Sequence, residues 1–191
     1  MRPLPLDRAL RSWLVSDGSL SRRLASAFGH FKVQVLRQGT APAFADELQL
    51  LRRHGQGRAR LARCHVREVV LWGDGRALVH ARSVLPAVQA RLAWRALQGL
   101  GPRPLADLLF GPHAARCTRL GAHQAVPLQA RRQGQRLGWT RPPLWGRRSV
   151  FMRRGVPLLI TEWFAPTVCD HPPGARRTRG KLRNTPSPRS R

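Results

Sequence analysis

The chain has no tyrosine, only 9 acidic residues among 191, and 3 cysteines. No run approaches the ~18 apolar residues of a membrane-spanning helix. Each shortage excludes something. Without tyrosine there is no phenolic acid or base. Cys64, Cys117 and Cys169 are odd in number, far apart and free of any C-x-x-C pair. A disulfide framework and a zinc ribbon are thereby excluded, and a reducing compartment is expected. Asp7, Arg8 and Arg11 interrupt the stretch where a secretory signal needs an unbroken apolar core, so the expected location is the cytoplasm. G-x-G-x-x-G, the Walker lysine loop, H-E-x-x-H and G-x-S-x-G are all absent. His30, His54, His65, His80, His113, His123 and His171 are dispersed without helix-spaced ligand pairs, and no metal site is expected.

What is abundant is arginine. Lys+Arg total 35, and the formal net charge is +26. Such charge suits a nucleic-acid or anionic-membrane surface. Yet 42% of residues are hydrophobic, enough to bury a core, and the length suits one domain. Composition changes after Val168. The segment 169–191 carries seven basic residues, four prolines and one leucine, cannot build a core, and is expected to be a disordered tail behind a domain spanning 1–168. The tail holds +6 and leaves +20 on the body, where the arginines are scattered as a solvated surface would have them. Tryptophan and phenylalanine sit within apolar patterns and do not form the basic-aromatic platform that stacks single-stranded bases.

The pattern along the body mixes helix and strand without repeats. Leu10, Trp13, Leu14, Leu20, Leu24 and Phe28 predict two short helices, broken at Asp17-Gly18-Ser19, with Ser19 a new N-cap. Phe31, Val33 and Val35 alternate into a strand ending near Gly39, and residues 40–60 read as a partly helical excursion. Leu85 to Leu100 reads as a helix through Val88, Leu92 and Leu97. Pro104 to Phe110 predicts a short helix with proline in its first turn, and 116–130 and 148–164 predict further strands, the last a hairpin at Arg154-Gly155.

Two places carry chemistry. Residues 64–72 and 76–86 are β-rich, and Asp74-Gly75 between them is a strong hairpin signal. With those residues as the turn, Arg67 falls opposite Arg82. Like charges so placed are destabilising unless an anion lies between them, or unless a bulge or one-residue shift separates them. In the final strand the alternation places Leu158, Ile160, Glu162 and Phe164 on one face. Glu162 is thus a carboxylate in an apolar strand, either a buried functional acid or an edge residue paired to an arginine.

Five collinear segments resemble chorismate lyase. They are R-E-x-x-L at 67–71 before W-G-D-G, A-R-S-V-L-P at 81–86, P-L-A-D-L-L-F at 104–110, L-W-G-R-R-S at 144–149, and P-L-L-I-T-E-W-F-A-P at 157–166. The resemblance covers about Trp13 to Val168. It implies an α+β fold, a single antiparallel sheet with helices packed on it and helical flaps over an internal ligand site. It also implies conversion of chorismate to 4-hydroxybenzoate and pyruvate, the committed step into ubiquinone, by a monomer without metal or organic cofactor. Matched by motif, Arg67, Arg82 and Glu162 would be catalytic, and Leu20, Arg67, Leu105 and Glu162 would contact substrate. Leu20, in D-G-S-L, stands where the family has methionine. Arg67 and Arg82 would each take a carboxylate of the dianion, Arg82 alternatively the departing oxygen, and Glu162 would meet the ring hydroxyl. Two other readings remain: a non-enzymatic sensor domain of the same fold, as in GntR-type regulators, and a basic nucleic-acid binder.

Overall fold

Two dipeptides with left-handed backbone build the sheet's tight hairpins. Asp74 and Gly75 have φ of 49° and 74°, and Arg154 and Gly155 have 50° and 75°. Positive φ at both central residues gives the turn a twist that matches the strands it joins. The computed structural model describes residues 8–55, 63–110, 116–124, 136–139 and 145–170. The basic tail beyond Asp170 lies outside the described residues.

In chain order the elements are α1 (Arg8–Leu14), α2 (Leu20–Ala27), β1 (Lys32–Ala41), α3 (Ala45–His54), β2 (Cys64–Gly73), β3 (Arg76–Pro86), α4 (Ala106–Leu109), β4 (Arg116–Gln124), β5 (Trp145–Arg153) and β6 (Val156–Phe164). The strands form one antiparallel sheet in the order β1-β2-β3-β6-β5-β4. Both hairpins and the β1 strand stand where the pattern predicts them. The turn between α1 and α2 does too: Gly18 is left-handed, and the Ser19 hydroxyl accepts the Arg22 amide at 3.1 Å.

Each sheet face has its own cover. On one, Leu10, Trp13 and Leu24 of the first two helices pack on Val69 and Leu71 of β2. Beside them Trp94, Leu97 and Leu109 pack on Leu85, Phe151 and Ile160. On the other face, Leu51 of α3 packs on Val66, Val84, Val150 and Leu159. Full burial of such side chains contributes about 1.5–3 kcal/mol apiece.

The segment after β3 corrects the expected helix over Leu85 to Leu100. Leu85 belongs to β3, and tight 3-10 turns at Ala87–Ala90 and Arg95–Leu97 follow. Val88 and Leu92, the expected inner face, are 68% and 61% exposed, while Ala90, Trp94, Leu97 and Leu100 are buried. The last three recur every third residue, the period of a 3-10 turn. The Trp94 indole also donates to the Val156 carbonyl at 3.2 Å, pinning the segment to β6.

Register corrects a second expectation. Trp72 pairs with Ala77 as the turn requires, but Leu71 pairs with Val79, so Leu78 is an extra residue on β3. Its carbonyl accepts the Ala165 amide at 2.8 Å. Beyond this bulge the pairing has moved by one: Arg67 stands opposite Ser83, and Arg82 opposite Glu68. Arg67 and Arg82 therefore point to opposite faces of the sheet.

Candidate active site

The face covered by α1, α2 and α4 holds a cavity of about 620 Å³, its mouth included. Its floor is the sheet: Arg67, Val69 and Leu71 of β2, Ala81 and Ser83 of β3, Ile160 and Glu162 of β6, Arg147 and Phe151 of β5. Its cover is two short helical segments, one supplying Gly18, Leu20 and Ser21, the other Pro104, Leu105, Leu109 and Phe110. The lining is mostly apolar, with a few polar groups that converge from the floor.

Four of the five expected site residues, Leu20, Arg67, Leu105 and Glu162, line this cavity together. Arg82 does not. It lies on the opposite face, where its Nε donates to Glu47 at 2.8 Å and a terminal nitrogen pairs with Glu68. Another nitrogen donates to the Pro42 carbonyl at 3.2 Å, and the guanidinium lies 4.1 Å from the centre of the Phe44 ring. Burial opposes its charge, but the hydrogen bonds and charges of Glu47 and Glu68 outweigh that, and its pKa is raised. The expectation that Arg82 opposes Arg67 across a ligand fails because the Leu78 bulge inverts the faces.

Arg67 is 2% exposed. Its Nε donates to Gln38 at 3.1 Å, and a terminal nitrogen donates to the carbonyls of Gly101, at 2.7 Å, and Arg103, at 3.2 Å. Gln38 is itself tied to the Leu97 and Gln98 carbonyls, so the guanidinium has a fixed position. All these partners are neutral. Among the described residues Arg67 has no carboxylate, and burial lowers its pKa. A buried cation without a counter-ion is costly, and an anionic ligand relieves that cost.

Glu162 is paired across the strands with Arg147, and Arg147 Nε donates to Glu162 Oε2 at 2.5 Å. The arginine-paired alternative therefore holds, but on the floor of the cavity and not at a sheet edge. Arg147 is the residue that the sequence pattern missed. It was findable: Arg147 and Glu162 stand equally far from the Arg154-Gly155 turn, and no bulge intervenes. Gly146 before it has a packing reason, since a Cβ there would lie 2.5 Å from Trp163 Cε3.

Arg67 and Glu162 are two strands apart on one face, about 10 Å between strand axes. With Arg147 they give the floor two positive charges against one negative. Among the described residues no group of three His, Cys, Asp or Glu side chains could hold a metal ion, and no helix is long and apolar enough to cross a membrane. The arrangement suits a small, mostly planar anion with a carboxylate at one end and a hydrogen-bonding group at the other.

Comparison with known proteins gives the family and the fold. The family model described as chorismate lyase matches residues 4–171. A probable chorismate pyruvate-lyase of Methylococcus capsulatus is 43% identical over 170 residues, covering 87% of this chain and 100% of that one. One from Thiobacillus denitrificans is 40% identical over 166 residues, covering 84% of each. Among solved structures, PhnF from Mycobacterium smegmatis superposes with a TM-score of 0.57 at 16% identity, over 80% of this chain and 66% of that one. A PhnF C-terminal domain superposes with 0.51 at 16% identity, over 80% and 91%. At such identity these two speak for the fold alone.

Proposed function

The chain belongs to the chorismate lyase family and is a carbon–oxygen lyase, a chorismate pyruvate-lyase; from that premise we propose that chorismate binds in the cavity with its ring carboxylate on Arg67 and its ring hydroxyl at Glu162. The observation that carries this reading is Arg67, a buried guanidinium in an apolar cavity with, among the described residues, neutral partners only. A planar fork of donors meets a carboxylate bidentately, which a lysine ammonium would not do.

The reaction breaks the bond between the ring carbon and the enolpyruvyl oxygen. The hydrogen on the carbon bearing the hydroxyl leaves as a proton, and the ring gains its third double bond. The enolpyruvate takes a proton at its methylene carbon and becomes pyruvate. The chain must hold a dianion in one conformer, offset the charge that develops on the departing oxygen, and handle the proton. Glu162 accepts the hydrogen bond of the ring hydroxyl and receives that proton. Arg147, paired to Glu162 on the floor, supplies a second positive charge on this face, which acts through Glu162 and not by contact with the dianion. Fixed charges aimed at the reacting atoms commonly supply the largest share of such catalysis. Leu20 and Leu105 close the cavity over the ring and exclude water. The product, 4-hydroxybenzoate, would then enter ubiquinone synthesis. The large positive charge of the chain would speed capture of the dianion by electrostatic steering.

The test is to incubate the purified protein with chorismate, following 4-hydroxybenzoate by absorbance and pyruvate by a coupled lactate dehydrogenase assay. Equimolar release of the two is expected. Tight binding of chorismate with neither product would move the protein to the sensor reading.

A further inference from the structure

We infer that Arg147 is a positioning residue for the lyase reaction, holding Glu162 aimed into the cavity and tying that carboxylate to the α1–α2 turn that covers it. The inference rests on the reading of Glu162 given above and adds to it a second, non-contacting residue. The guanidinium divides its donors. Nε goes to Glu162 Oε2, while one terminal nitrogen donates to the carbonyls of Trp13, at 3.2 Å, and Ser16, at 2.9 Å, and to the Ser16 hydroxyl at 3.2 Å. Trp13 and Ser16 lead directly into Gly18, Leu20 and Ser21, the part of the cover that lines the cavity. One buried side chain thus joins floor and cover.

Two consequences follow from this geometry. Arg147 bonds only Oε2, and among the described residues Oε1 has no hydrogen-bond partner, so one carboxylate oxygen is fixed and the other is left for a ligand. In addition, the turn keeps its place over the cavity through the same guanidinium that orients the carboxylate. A cover displaced from the floor would therefore leave Glu162 without its orienting partner. Lysine is a poor substitute here, because a single ammonium lacks the planar fork that serves two directions at once.

The test uses the full chain with chorismate as substrate and 4-hydroxybenzoate as the binding probe. Arg147→Ala should lower kcat by about 10²-fold, the usual cost of a misplaced catalytic group. Product affinity, set by Arg67, should stay within about ten-fold, since Arg147 acts through Glu162. Added guanidinium ion should restore part of the lost kcat, and Arg147→Lys should recover only part of it, a pattern that general loss of structure does not give. In a Glu162→Gln background, Arg147→Lys should cost no more than a few-fold further, as expected of residues acting as one unit.

A kcat within a few-fold of wild type in Arg147→Ala, or losses that multiply in the double variant, would overturn the inference. If Arg147→Ala does not fold, Arg147→Lys carries the same comparison. Wild-type turnover in Glu162→Gln alone would sink the reading of Glu162 itself. A crippled Glu162→Gln beside an intact Arg147→Ala would sink only the role of Arg147.

Discussion

The two faces of the sheet bury the same kind of residue and leave it in opposite electrostatic states. On the closed face Arg82 is held by Glu47 and Glu68, two carboxylates for one guanidinium, under the packed helix α3. Arg148 on the same side reaches Asp46, a further tie between that helix and the sheet. On the cavity face Arg147 holds the single carboxylate, Glu162, and among the described residues Arg67 has neutral partners only. Burial alone does not separate the two, for Arg67 is 2% exposed and Arg82 6%. What separates them is where the counter-ion resides. Among the described residues a counter-ion is supplied to Arg82, which fastens α3, and none to Arg67, which suits Arg67 to the receptor role proposed above.

The sharpest way to break this comparison is at Glu162. Glu162→Gln should lower kcat by roughly 10²–10⁴ if this carboxylate handles the proton, and turnover within a few-fold of wild type would remove it from the reaction. Next in size is Arg82→Met. Removing one partner of a buried pair leaves Glu47, itself 2% exposed, without its cation, and such losses run to about 3–5 kcal/mol. Chemical denaturation should show it, and a loss below about 1 kcal/mol would mean that the Glu47 pair does not fasten α3. Arg67→Met is the mirror experiment. It removes a cation that no carboxylate among the described residues balances, so stability should change by less than about 1 kcal/mol, while 4-hydroxybenzoate affinity falls by about 10²-fold through loss of a charge-assisted contact. Equal destabilisation by the two methionine variants would erase the distinction between fastening and receptor.

Much of this was open to reading in the residues, and the failures have a common cause. Asp74-Gly75 and Arg154-Gly155 announce their hairpins because few dipeptides accept positive φ twice, and Ser19 announces α2 because a hydroxyl there caps the next amides. These are local signals with local causes. Arg67 and Glu162 stand out in the strand pattern, Leu20 and Leu105 come from the chorismate lyase resemblance alone, and the fold brings all four to one cavity. Arg82 was misplaced because the Leu78 bulge depends on a partner far along the chain, the Ala165 amide. Nothing within residues 64–86 records that contact. The Leu85–Leu100 segment failed likewise, since its turns follow the fit of Trp94 against β6. Arg147 is different, since the symmetry about Arg154-Gly155 was present in the sequence and simply holds through β5 and β6.

The smallest effect expected lies on the closed face, at His80. It is buried, and among the described residues neither ring nitrogen has a hydrogen-bond partner. Burial is the main reason that its pKa falls to about 4, with Arg82 pushing the same way and Glu68 opposing. A histidine held neutral in the folded chain but titrating near its ordinary 6.5 when unfolded makes the unfolded chain bind the extra proton first. Its contribution to stability is therefore complete above pH 6.5 and is lost as the pH falls from there toward 4. By pH 5.5 the loss should be about 1.4 kcal/mol, one pKa unit of linkage. Unfolding free energies of wild type and His80→Leu from urea titrations should diverge by that amount between pH 7.5 and 5.5, the variant being flatter because it has no group to charge. Parallel curves would mean that a proton reaches His80 in the folded chain as easily as in the unfolded one, and that the face taken as closed is open to water.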